Sequence, residues 1–282
     1  LKKLLSSETK QRNTVRDELR ELVRQFAVPR RSKVTSASDL VTIEDDAPED
    51  DNSNLEELSD QPTLVTLSTS GLLGRRSPNE EFTAKPGRHD VIARSLETSG
   101  FSVISAVTDQ GRVLSVRARE IPEMVRGSRG ASVTEMFSLS RGEKVVGLFG
   151  DGSDPVILIT RNGVAKRLEA DALKRLRSGS SAINLKGDDR VASAFVASED
   201  SEIVMVASDG QALRTAANGI SLQGPGAGGV AGMKLKPGSN VMAAGIVEFG
   251  AAVVVISDEG AIKATDVAEI PAKGRATGGV RT

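Results

Sequence analysis

The side chains most able to do chemistry here are bases that recur with a repeat. Arg75, Arg76, Lys166, Arg167, Arg214 and Lys263 stand three to five residues after a turn glycine. Arg126, Arg129, Arg175 and Arg177 stand in or near glycine-rich loops. Bases at one position of successive repeats make a stripe, and a curved basic stripe with few aromatics suits contact with nucleic-acid phosphates rather than base readout. Stacking on single strands is disfavoured, because the chain has seven Phe, no Trp and no Tyr. These ten residues are read as backbone contacts to duplex DNA; solvated bases at strand ends are the plain alternative.

Other chemistry finds little support. There is no Cys, hence no disulfide, thiol nucleophile or Cys-ligated zinc. The single His, His89, lies in a Pro-Gly-Arg-His-Asp loop and reads as solvated. No phosphate-binding G-x-x-x-x-G-K-[ST] loop occurs, and no spaced carboxylate cluster points to a metal. The expectation is therefore no catalytic residue, cofactor or metal in this stretch. No run of 18 apolar residues and no signal peptide are evident, so the chain is expected to be soluble and cytoplasmic, without membrane contact. Opening on Leu1 rather than Met, it reads as a piece of a longer polypeptide. Net charge is −1, but unevenly spread: residues 1–60 hold 10 bases and 14 acids, which leaves 27 and 24 for 61–282.

The element that positions the bases is a hairpin, clearest in PVILITRNGVAKRL, Pro155–Leu168. A short β-branched run meets Asn162-Gly163, which predicts a type I′ turn with both residues at positive φ. The unit recurs five times, with turn glycines Gly71, Gly111, Gly163, Gly210 and Gly260 at intervals of 40, 52, 47 and 50 residues. Such a period means a propeller, pinwheel or solenoid. In the later repeats a glycine-rich loop follows, then Leu139 to Val145, Leu185 to Val191 and Leu235 to Val241, each pair six apart around Gly142, Gly187 and Gly238. Each unit is thus read as about four strands, with Phe101, Phe137, Phe149, Phe195 and Phe249 filling the core. The fifth repeat reaches its glycine-rich loop, PAKGRATGGVRT, and stops.

Ahead of the repeats, Leu1–Phe26 reads as a helix with Val15, Leu19, Leu22, Val23 and Phe26 on one stripe. Ser36–Asp60 holds ten acids and no base, and reads as a self-repelling disordered linker, able at most to compete with DNA for a basic surface. The expected domains are a helical segment over 1–35, the linker over 36–60 and an all-β repeat domain over 61–282.

RDELRELVRQF followed by PRRSKV, Arg16 to Val34, resembles the end of the coiled-coil arm in the A subunit of bacterial type IIA DNA topoisomerases. The repeats resemble the T-x-x-G-x-x-K-R units of that subunit's C-terminal domain, as in ITRNGVAKR. The resemblance implies a β-pinwheel, a propeller-like ring of about five to six four-stranded blades with strands exchanged between neighbours. It also implies a non-catalytic part that binds and bends duplex DNA. The other parts of such an enzyme would supply a catalytic tyrosine, ATP and Mg use, a second A subunit, and a B subunit with ATPase activity. Gyrase A subunits of the family carry a Q-R-R-G-G-K-G box in the first-blade loop; Lys85, Gly87 and Arg88 are what remains of it here. That departure favours a topoisomerase IV-type subunit over gyrase-type wrapping. The rival from another class is a protein-interaction propeller with no nucleic-acid role.

Overall fold

In the computed structural model, the described residues are 7–26, 60–79, 90–124 and 130–282. The chain divides into two units, Leu1–Ser59 and Asp60–Thr282. In the first, α1 (Glu8–Phe26) bears out the predicted helix over its described length. Exposed pairs support it: Arg12 with Glu8 at 2.8 Å and Arg24 with Glu21 at 3.1 Å, each worth roughly 0.2–0.5 kcal/mol. Val15, Leu19, Leu22 and Val23 are exposed along one stripe. The acidic stretch read as a linker lies, but for Asp60, outside the described residues.

The second unit is built from five repeats. Repeat one gives β1 (Pro62–Ser68), β2 (Leu72–Arg76) and β3 (Ile92–Ser99). Repeat two gives β4 (Val103–Thr108), β5 (Val113–Arg117), the two-residue β6 (Ala131–Ser132), the short helix α2 (Val133–Phe137) and β7 (Val145–Phe149). Repeat three gives β8 (Val156–Thr160), β9 (Val164–Leu168), α3 (Ala170–Lys174) and β10 (Val191–Val196). Repeat four gives β11 (Glu202–Ala207), β12 (Gln211–Ala216), β13 (Val230–Ala231) and β14 (Val241–Ile246). Repeat five gives β15 (Ala252–Ile256), β16 (Ile262–Asp266) and β17 (Val280–Arg281).

The sheets show the exchange that the resemblance implies. Their orders are β3-β1-β2-β6, β7-β4-β5, β10-β8-β9-β13, β14-β11-β12-β17 and β15-β16. The first three strands of a blade come from one repeat, and the fourth is lent by the next. In the second blade that place is taken by a bridge between Arg112 and Ser181 of repeat three.

Docking the borrowed strand explains why its loop is rich in glycine. A Cβ on Gly229 would lie 2.8 Å from the Ala165 carbonyl oxygen, and its φ is +85°. Gly130 and Gly279 meet Leu73 and Ala212 of the preceding hairpins in the same way. Gly229→Ala is therefore expected to cost roughly 1–3 kcal/mol, from left-handed strain plus displacement of β13; urea unfolding of the variant checks it.

The hairpin turns differ from the type I′ expectation. Asn162 does not have positive φ, whereas Gly163 does, at +79°. Gly163 N–H donates to Thr160 O at 3.0 Å and Val164 N–H to Thr160 Oγ1 at 3.1 Å. The loop is a β-turn centred on Arg161 and Asn162, closed by one left-handed glycine. The other hairpins are built alike, with turn glycines at φ +74° to +84°. That is why Ser70, Gln110, Asp209 and Glu259 can precede them.

The core lies between blades. Ile157 and Ile159 of β8 face a cluster with Ile203, Met205 and Leu213 of the fourth blade. Val156 and Leu158, on the opposite face, join Val107, Val113 and Phe149 of the second. A strand buried on both faces has no polar side to show, so β8 reads as an unbroken apolar run. Phe137 and Phe149 are buried and Phe195 half-buried, as expected of core fillers, but Phe249 is fully exposed and Phe101 is 37% exposed. Both sit in links between a last strand and the next hairpin, outside the inter-blade layers; Phe101 carries the Arg119 guanidinium 5.6 Å from its ring centre.

Candidate nucleic-acid interface

The bases that follow the turn glycines lie on β2, β9, β12 and β16, the second hairpin strands. In the first, third and fourth blades this strand is internal, covered by the borrowed strand. A base there cannot point freely to water. Lys166 is the extreme case, with no exposed surface. It occupies the place of Leu114 and Leu213 in the neighbouring repeats, both core residues. Its stem packs where those leucines pack. Its Nζ donates to the carbonyls of Ala182 at 2.7 Å, Pro225 at 2.8 Å and Ala227 at 2.9 Å. Burial pulls the ammonium down to about 8, yet it meets three carbonyl oxygens, which favour the charged form at neutral pH. With all three donors used, Lys166 cannot serve as a phosphate contact, and that expectation is corrected.

Arg167 is also withdrawn, at 5% exposure, with Nη2 3.8 Å from Glu199. Arg75 and Arg214 are mostly buried and committed inward. Arg75 Nε donates to Ile121 O at 2.8 Å, and its Nη2 lies 3.6 Å from Glu123. Arg214 Nε donates to Glu202 Oε2 at 2.8 Å and Nη1 to Val267 O at 3.3 Å. Arg76 is half-buried. Of the ten proposed contacts, Arg175, Arg177 and Lys263 stand exposed, Arg175 within 3.7 Å of Asp171 one turn back. Arg126 and Arg129 lie outside the described residues, as do Lys85, Gly87 and Arg88.

The structure brings forward other bases. In repeats two to four the glycine turn before the third strand meets that repeat's hairpin turn. Asp109 N–H donates to Lys144 O at 2.8 Å, and Arg161 N–H to Arg190 O at 2.8 Å. Exposed around these paired turns are Arg141 and Lys144, Arg161 and Lys186, and Lys236. Two bases there are tethered: Arg190 to Asp109 at 2.9 Å and Lys236 to Asp209 at 3.0 Å. A signal for the set was present in the sequence. Arg141 and Lys186 directly precede Gly142 and Gly187, and Lys236 stands two before Gly238, inside the six-residue Leu–Val spacing.

Beneath the turns, Arg112 grips Glu143 with Nε–Oε1 at 2.9 Å, and Ser140 N–H donates to Glu143 Oε2 at 2.9 Å. Burial pushes the Glu143 carboxyl up, but bonds from Arg112, Thr108 and Ser140 outweigh it and hold it at about 2. Hydroxyl and backbone donors of Ser70, in the first hairpin turn, act likewise on Asp90 just before β3, also at about 2. The acids in these turns are thus structural, and the exposed bases are what a ligand meets. Among the described residues, no group of three or more His, Cys, Asp or Glu is placed to hold a metal.

Comparison with known proteins agrees with the repeat register. The family described as DNA gyrase C-terminal domain, beta-propeller, matches residues 104–149, 154–198, 201–248 and 251–282. These are repeats two to five, each match starting within two residues of the start of its hairpin. Among curated proteins, the DNA gyrase A subunit of Mycobacterium tuberculosis (strain CDC 1551 / Oshkosh) is 28% identical over 299 residues, covering 100% of this chain and 34% of its own length. The DNA gyrase A subunit of Aminobacterium colombiense is 31% identical over 283 residues, covering 95% and 33%. The chain thus spans about a third of the relatives it matches. Among solved structures, the C-terminal domain of DNA topoisomerase IV superposes with a TM-score of 0.72 at 24% identity, covering 79% of this chain and 73% of that one. With the family match extending over four of the five repeats and the exchanged blades beneath it, this chain belongs to the DNA gyrase C-terminal domain, beta-propeller family.

Proposed function

We propose that this domain binds duplex DNA through its phosphates and bends it, as the non-catalytic DNA-handling part of a type IIA topoisomerase A subunit. The observation that carries the reading is the recurrence of exposed bases at equivalent turns of successive blades, Arg141, Lys186 and Lys236; Arg175, Arg177 and Lys263 are exposed as well. Bases held by rigid strand ends at a repeated spacing meet a repeated backbone, and carry no means of telling one base pair from another. In the whole enzyme a second A subunit, together with an ATPase B subunit, would act through parts outside this sequence, in the cytoplasm at the nucleoid. No helix among the described residues is long and apolar enough to cross a membrane.

Bending for segment capture, as in a topoisomerase IV-type subunit, is the first reading, favoured by the absence of an intact Q-R-R-G-G-K-G box. Chiral wrapping is the second, favoured by the relatives named as DNA gyrase A subunits. Binding of the whole chain to relaxed closed-circular plasmid, followed by nicking-closing and measurement of linking number, separates them. Salt-sensitive binding with little shift is expected; a clear positive-writhe shift would favour wrapping, and no binding at low salt would favour a protein-interaction scaffold. Charge reversal at Arg141, Lys186 or Lys236 is expected to weaken binding uniformly across sequences. Each should lower the slope of log affinity against log salt by about 0.9. A slope unchanged in all three would remove these residues from the interface.

A further inference from the structure

We propose that Arg75 and Arg214, with Arg167 at the same repeat position, are positioning residues that fix the angle between successive blades and so set the curvature the domain imposes on DNA. The proposal rests on the DNA-binding reading above. All three stand four residues after a turn glycine, and all three sit where their blade receives the next repeat. The backbone carbonyls of Arg75, Arg167 and Arg214 accept from Met124, Gln223 and Lys273 N–H at 2.8, 2.9 and 2.9 Å. Each contact makes a parallel bridge, to Glu123, Leu222 and Ala272 respectively.

At two of these joints the guanidinium extends the grip. A three-residue 3₁₀ turn of the following repeat, Ala118–Glu120 or Val267–Glu269, ends on a buried isoleucine, Ile121 or Ile270. Arg75 Nε takes the Ile121 carbonyl at 2.8 Å; Arg214 Nη1 takes those of Val267 at 3.3 Å and Ile270 at 3.5 Å. The guanidinium thus ties a strand of one blade to the segment of the next repeat that leads into the strand this same blade borrows. Glu123 and Glu202 hold the two arginines from the other side. A planar, permanently charged fork held by carbonyls and a carboxylate leaves little rotational freedom, unlike a flexible ammonium.

The joint between the second and third blades is built differently. Position four after Gly111 is Ser115, whose N–H donates to Ser178 Oγ at 3.2 Å, and α3 replaces the 3₁₀ turn. Across that joint the ion pair is Arg190 with Asp109 at 2.9 Å, its arginine side chain 40% exposed. With Asp109 buried and the arginine partly in water, this pair is more open to salt than the carbonyl-held arginines. The first and fourth joints thus carry an arginine grip that the second lacks; the second is held instead by backbone bonds, among them Val113 N–H to Ser180 O at 2.8 Å and Ala182 N–H to Gly111 O at 2.7 Å.

The test uses the full chain with Arg75→Met and Arg214→Met, and the conservative Arg75→Lys and Arg214→Lys. Wild-type binding at low salt is measured first, so that failure of the DNA-binding reading shows there alone. On a duplex of about one helical turn, too short to need bending, the Met variants should keep wild-type affinity and salt slope. On a duplex several turns long, end-to-end energy transfer should report a loss of bend. The Lys variants should restore part of it. A slope that falls by about 0.9 on the short duplex would make the arginine a phosphate contact and overturn the proposal. So would an unchanged bend in folded variants at both joints. If one Met variant fails to fold, the other joint and the Lys variants carry the same comparison.

Discussion

Replacing Lys166 by Met is expected to lower the unfolding free energy by roughly 2–6 kcal/mol while leaving the DNA affinity of the folded protein unchanged. The Met side chain refills the space taken by Leu114 and Leu213 in neighbouring repeats, so no cavity opens. What is lost is the donor to Ala182, Pro225 and Ala227. Ala182 belongs to the glycine-rich loop of repeat three and the other two to that of repeat four, so one ammonium joins two exchanged segments. Each stranded buried acceptor costs about 1–3 kcal/mol. The Ala227 oxygen keeps the Asn184 N–H at 3.2 Å, which places the effect at about two acceptors rather than three. Urea unfolding measures the loss, and a DNA titration well below the melting range measures the affinity. Weakened binding by fully folded Lys166→Met would show that Lys166 reaches phosphate after all.

Glu143→Gln should cost about 3 kcal/mol at pH 7 and progressively less in acid. The folded carboxyl sits at about 2 against an ordinary 4.5. Such a difference corresponds to about 1.4 kcal/mol per pH unit. Between pH 2 and 4.5 the unfolded chain binds the proton that the folded chain refuses. The stabilisation is therefore complete above about pH 5 and is lost as pH falls through 4.5 towards 2. Gln cannot ionise, and it leaves the Arg112 guanidinium facing a neutral group. Unfolding curves for wild type and variant should converge between pH 5 and pH 2. Asp90, held low by Ser70, adds its own acid slope to both proteins alike, so the difference between them isolates Glu143. A gap that stayed constant with pH would mean that Glu143 is not ionised in the folded chain.

The repeat, and with it the architecture, is legible in the sequence. Five turn glycines at similar spacing, each at positive φ in the structure, marked five hairpins. A backbone that must enter the left-handed region at one point of a tight turn restricts the residue there to glycine. The unbroken apolar run of β8 was equally legible, since a strand between two cores has no polar face. The turn type is not legible in the sequence, because Asn162-Gly163 imitates a type I′ pair and only the φ of Asn162 distinguishes the two loops.

Which bases meet solvent is set only in the folded chain. From the sequence, β9 looks like the outer strand of a hairpin, and Lys166-Arg167 like an exposed basic pair. In the fold, β13 arrives from some 65 residues downstream and covers that edge, pairing Val230 with Ala165 and Ala231 with Val164. Burial is a property of both sides of a strand, and here the second side is supplied by the following repeat. Local pattern could not carry that information, so the same motif that revealed the blades misplaced part of the interface. The exposed set shifted instead to turns such as Arg141-Gly142 and Lys186-Gly187. A base beside a turn glycine stays in water because no strand is added there.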